Sequence, residues 1–195
     1  RGGQAVSEME LYRTRAEWLA AATVKLQNTV LHSAKIVVPY DVHVGCVRMR
    51  TKSGHRAIGR CHLSGPNDVG LFEIVITVSP ALSDRVRVLA VLVHELVHAV
   101  ADAKCGHKGP FRQLALRVGL TGKMTTSVPG PALRDQLTRI ANDLGSYPRA
   151  TPAKRKCTGC GYVAQAASKW PSEVLTCPIC KRGAMAGVIE THPAH

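Results

Sequence analysis

The chain predicts an α+β fold: a small β-sheet packed against a zinc-bearing helix and further helices, followed by a small C-terminal zinc ribbon. Three observations carry that expectation. Over residues 1–148, stretches with apolar residues at helical spacing interleave with short β-branched runs. One long apolar stretch holds His94-Glu95-Leu96-Val97-His98. Two Cys-x2-Cys pairs fall within residues 149–195. With 195 residues, 45% of them hydrophobic, there is room for one moderate domain that needs no disulfides, plus a small appendage.

Residues 8–31 place Leu11, Trp18, Leu19, Ala22, Leu26 and Val30 on one helical face. Ile36 to Val38 is a short β-branched run stopped by Pro39. Val42 to Met49 alternates and reads as a strand, Ser53-Gly54 as a turn, and Ala57 to Leu63 as its hairpin partner. Ser64 to Asp68 has the composition of a loop. Phe72 to Val78 is the strongest strand signal, ended by Ser79-Pro80. From Asp84 to Lys104 six valines favour strand locally, but the length, the leucines and alanines between them, and Ser83-Asp84 at the start favour a buried helix. Further helices are expected after Pro110 and from Pro131 to Leu144, and residues 145–156 read as a linker.

On a helix, residues four apart lie one above the other, so His94 and His98 can grip one metal ion. Glu95 then stands beside the metal's open side, where it can take a proton from bound water. The third ligand is expected to be His107, between Gly106 and Lys108-Gly109, because the glycines let the chain turn back towards the helix. An acidic ligand from Asp102, Asp135, Asp143, Glu173 or Glu190 is the alternative, and Asp102 is also placed to orient a ligand imidazole. A longer HExxHxxGxxH site is excluded, since its later positions hold Ala101 and Lys104.

In Gly59-Arg60-Cys61, Ile74 to Pro80, Val91 to Ala99, and His107 with Phe111 four residues on, the chain resembles the SprT-like (Spartan-type) metallopeptidases. The resemblance covers roughly residues 36–120, and the family's His-Gly-Pro is here His107-Lys108-Gly109-Pro110. It implies a Gly-Arg-Cys strand followed by an edge strand, a zinc endopeptidase activity, and substrates bound or crosslinked to DNA. A C-terminal zinc ribbon is common in that family.

Of seven cysteines, Cys157, Cys160, Cys177 and Cys180 have the spacing of a closed four-thiolate zinc site, too full to hold water and therefore structural. Cys46, Cys61 and Cys105 read as small core hydrophobes, and free thiols suit a reducing cytoplasm. Two zinc ions per chain are expected, one catalytic and one structural.

The net charge of +13 attracts polyanions, nucleic acid before acidic membranes. In the tail, Lys154, Arg155, Lys156, Lys169 and Arg182 with Trp170 have the chemistry to hold phosphates and stack bases of single-stranded DNA. No eighteen-residue apolar run predicts a membrane span, and no signal-peptide core is visible. The start at Arg1-Gly2-Gly3 reads as trimmed. The expected protein is therefore a cytoplasmic zinc metallopeptidase, nucleoid-associated if DNA recruits it. The alternatives are a nucleic-acid-binding or regulatory protein whose metallopeptidase-like domain cleaves little, and a zinc hydrolase of non-peptide substrates.

Overall fold

The computed structural model describes residues 11–38, 41–46, 49–50, 56–63, 73–101, 105–149, 154–161, 163–165, 180 and 185–189. They form an α+β fold divided into two compact units, Arg1–Arg149 and Ala150–His195.

In the first unit, helix α1 (Arg15–Leu26) starts at a capping box: Glu17 N donates to Thr14 Oγ1, and Thr14 N donates to the Glu17 carboxylate. It buries Trp18, Leu19, Ala22, Thr23 and Leu26, and a π turn over Gln27–Leu31 carries Val30 and Leu31 into the same core. Trp18, Leu19, Ala22, Leu26 and Val30 lie on the predicted face, but Leu11 does not: the capping box at Thr14 starts the helix after it, and Leu11 is exposed, while residues 8–10 lie outside the described ones.

The sheet runs β1 (Val42–Cys46), β5 (Ile74–Val78), β4 (Gly59–Leu63), with β1 parallel and β4 antiparallel to β5. Two sequence expectations are corrected here. β4 is not the hairpin partner of β1; the only hairpin between them is the short pair β2 (Met49–Arg50) and β3 (Arg56–Ala57), among the described residues. β5 is not an edge strand but the centre of the sheet, and among the described residues β1 and the Gly-Arg-Cys strand β4 lie at its two edges. Ile74, Ile76 and Val78 on alternate positions of β5 face the core, while its backbone pairs with β1 on one side and β4 on the other.

Helix α2 (Arg85–Val100) is capped by Asp84, whose carboxylate accepts from Arg87 N at 2.7 Å. It buries Val88, Leu89, Val91, Leu92, Val93, Glu95, Leu96 and Val97, so tertiary burial overrides the strand preference of its valines. α2 packs on β4, β5, α3 (Gly109–Arg117) and α4 (Pro131–Leu144). Between α3 and α4, the short pair β6 (Leu120–Thr121) and β7 (Val128–Pro129) closes a loop pinned by buried Met124. After α4, Tyr147 meets Trp18 edge-on, and Arg15 donates to the carbonyls of Pro148 and Pro80 at 2.7 Å each. The segment 145–149, read as linker, thus belongs to the first unit.

The second unit is a three-stranded antiparallel sheet in the order β10 (Met185–Ile189), β8 (Lys154–Cys157), β9 (Val163–Gln165). No helix among the described residues is long and apolar enough to cross a membrane.

Candidate metal centre

Because α2 is a regular helix, the rings of His94 and His98 stand on one face with centroids 4.9 Å apart. His107 reaches the same point from the turn after α2. Gly106 and Gly109 hold φ of +56° and +49°, and nothing crowds either one. The left-handed backbone rather than lack of space therefore selects glycine at both positions.

His107 Nε2 lies 3.2 Å from His94 Nε2 and 3.1 Å from His98 Nε2. Nitrogens bound at about 2.05 Å to one tetrahedral ion would lie about 3.3 Å apart, so the donor set fits an ion of that size. Neutral imidazoles facing inward present lone pairs to one another, and one proton can bridge only one pair. A shared cation satisfies all three. Burial lowers the pKa of His94 to about 4, helped by His98 and His107. Burial and His107 lower that of His98 to about 4, and burial lowers that of His107 as well. The rings are therefore neutral and available as ligands at pH 7.

Phe111, fully buried on the first turn of α3, forms the floor of the cluster. Its ring stacks on His98 with centroids 4.1 Å apart and meets His94 and His107 edge-on, each at 5.0 Å. On the other side, Ser127 from the β6–β7 loop places Oγ 2.9 Å from His94 Nδ1.

Glu95 is 6% exposed and turns towards β4. Its carboxylate accepts the backbone N–H of Cys61 and lies so close to Gly59 that a Cβ there would overlap Oε1. Burial pushes its pKa up to about 7, while the Cys61 N–H and the Arg60 charge pull the other way. Burial, then the Glu95 charge, pushes the Cys61 thiol up to about 12, which keeps it protonated.

In the second unit, the sulfurs of Cys157, Cys160 and Cys180 gather within 4.8 Å of one another. Cys157 and Cys180 sulfurs are 3.6 Å apart, far beyond the about 2.05 Å of a disulfide. The backbone N–H groups of Gly159 and Cys160 donate to Cys157 Sγ at 3.3 and 3.4 Å, and Gly161 at φ +73° closes the knuckle. This group, like the histidine cluster, could hold a metal ion.

Among the described residues no carboxylate joins the histidine cluster. Of the acidic alternatives, Asp135 is exposed and Asp143 pairs with Lys25 at 3.0 Å, both on α4, while Asp102, Glu173 and Glu190 lie outside the described residues. Cys46, Cys61 and Cys105 are half-buried and pack against the core. Cys177, Lys169, Trp170 and Arg182 also lie outside the described residues; Lys154, Arg155 and Lys156 are placed only as positions on β8. Sequence reasoning missed Ser127 and the contact of Gly59 with Glu95. A serine ending a Thr-Thr-Ser run carries no signal of its partner, whereas a glycine inside a strand does mark a close approach.

Fold and clusters together define a class: a small α+β unit with a three-histidine group, two on its core helix and one on the turn after it, joined to a β-unit with a cysteine group. Compared with family models, curated proteins and solved structures, the chain gives no match in any of the three.

Proposed function

We propose that the chain is a zinc-dependent endopeptidase of the SprT-like type, acting on proteins bound or crosslinked to DNA, with a structural zinc in its C-terminal unit. The observation that supports this most is the convergence of the Nε2 atoms of His94, His98 and His107, with a buried glutamate next to His94 on α2. His94, His98 and His107 would hold the catalytic ion; Cys157, Cys160 and Cys180, with Cys177, would hold the other. Bound by three neutral histidines, zinc supplies a Lewis acid that polarises the scissile carbonyl and brings the pKa of water to about 7. Glu95 takes the proton from the attacking water and hands it to the departing amine. The Cys61 N–H holds the carboxylate in place between those two transfers. DNA enters as the recruiter, through the net charge of +13 and the basic residues of the second unit.

The test is incubation of the zinc-loaded chain with an unstructured protein, with and without single-stranded DNA. Fragments should accumulate, and faster with DNA. Glu95→Gln should lower the rate by about 10² to 10⁴ while leaving metal content unchanged. A chain holding both metals that leaves the protein intact would instead be the regulatory nucleic-acid binder.

A further inference from the structure

We infer that Ser127 is a positioning residue for the histidine cluster, fixing the tautomer in which His94 can serve as a ligand. The inference rests on the metal-site reading above. His94 Nε2 faces His107 Nε2 at 3.2 Å, so its lone pair must point inward to hold an ion. A neutral imidazole then carries its proton on Nδ1, and Ser127 Oγ at 2.9 Å is the acceptor that proton meets.

The placement is built into the fold rather than left to a free loop. Ser127 directly follows a 3-10 turn, Met124–Thr126, whose Met124 is buried in the core. On its other side β7 pairs with β6, with Thr121 opposite Val128, and Thr121 Oγ1 donates to Val128 O at 3.3 Å. Gly130 N donates to Gly119 O at 2.8 Å and closes the base of the loop. A segment 33 residues beyond His94 is thus pinned at both ends with its hydroxyl against the ring.

The chemical consequence is specific. A hydroxyl orients the imidazole without the negative charge that a carboxylate would place behind it. The His94 ring gains direction but little basicity, so the bound ion keeps its pull on electrons from the open side. Loss of the hydroxyl frees the proton to move to Nε2 and the ring to rotate.

Cobalt(II) is the probe, on the full chain, since only the thiolate site gives sulfur-to-metal charge transfer and the two sites can be followed separately. Competition with a chelator gives the affinity of the histidine site. Ser127→Ala should weaken it by about 10- to 100-fold and leave the thiolate site unchanged. Ser127→Thr, which keeps the hydroxyl, should stay within about threefold of wild type, which a purely steric role for residue 127 would not require. An affinity for Ser127→Ala within twofold of wild type would overturn the positioning role. If the unmodified chain binds cobalt no better at this site than His94→Ala does, the metal-site reading itself fails, and that outcome is distinct.

Discussion

Replacing Gly59 by alanine tests how the edge strand holds Glu95. A Cβ at residue 59 would overlap Glu95 Oε1 and lie 2.6 Å from Val91 Cγ1, against an ordinary carbon contact of about 3.5–4.0 Å. The shortfall is about 1 Å, so either β4 moves off α2 by that amount or the carboxylate swings away from the Cys61 N–H. Overpacking of this kind costs about 1–3 kcal/mol. A displacement of about 1 Å at a reacting group costs about 10²-fold in turnover. On the proposed peptidase reading, Gly59→Ala should therefore lose about two orders of magnitude in kcat with little change in KM and melt a few degrees lower, and its metal affinity should stay near wild type, because the closest overlaps fall on Glu95 and Val91. A thermal double-mutant cycle separates the contacts. With Glu95→Ala in the background the overlap at Oε1 is gone, and the residual cost is that of Val91. Full activity in Gly59→Ala, or costs that simply add in the cycle, would refute the idea that the glycine exists to make room for the carboxylate.

Acid should destabilise the metal-free chain. His94 and His98 have folded pKa values of about 4 against 6.5 unfolded, so their share of stability is lost as pH falls from 6.5 towards 4. Glu95, at about 7 folded against 4.5 unfolded, works oppositely and gains stability over pH 7 to 4.5. Melting temperature against pH should accordingly fall more steeply in Glu95→Gln than in wild type, and parallel curves would contradict the assignment. Phe111→Ala removes the fully buried floor of the cluster and should cost about 3–5 kcal/mol in chemical denaturation; a cost below about 1 kcal/mol would mean the ring is not the support described. Neutralising Lys154, Arg155 and Lys156 together should reduce the salt slope of DNA binding by about two to three units, read by titration at several salt concentrations. The matching truncation belongs after Arg149, since Tyr147 and Pro148 are held by Trp18 and Arg15. A truncated chain that binds DNA as tightly as the whole would discard the adaptor role.

Features set by local chemistry were legible in the sequence. Asp84 as a cap, the four-residue spacing of His94 and His98, and the helix from Pro131 to Leu144 all depend on neighbours within a turn or two, and they appear where expected. The glycines flanking His107 announced a reversal, and their positive φ provides it. Strand pairing was not legible. Which of β4 and β5 pairs on both sides depends on where β1, distant in sequence, comes to lie, and no residue within either strand encodes that. Ser127 lay beyond reach for the same reason: its partner is set by a loop closure 33 residues away.

The two halves of the histidine cluster differ in how they can let go. His94 and His98 ride on a helix whose neighbouring positions are the core itself, so parting them means unfolding the unit. His107 rides on a turn whose Gly106, Lys108 and Gly109 are all exposed. Opening that turn breaks the Lys108 N to Cys105 O bond. An ion would therefore enter and leave by release of one ligand from a preformed pair, at a rate set by a local opening far cheaper than denaturation. Amide exchange should be slow along α2 and fast at residues 106–108, and metal exchange should follow the second rate. Stripping the ion would leave a folded receptor awaiting a replacement, so occupancy can track metal supply within the lifetime of a single folded molecule.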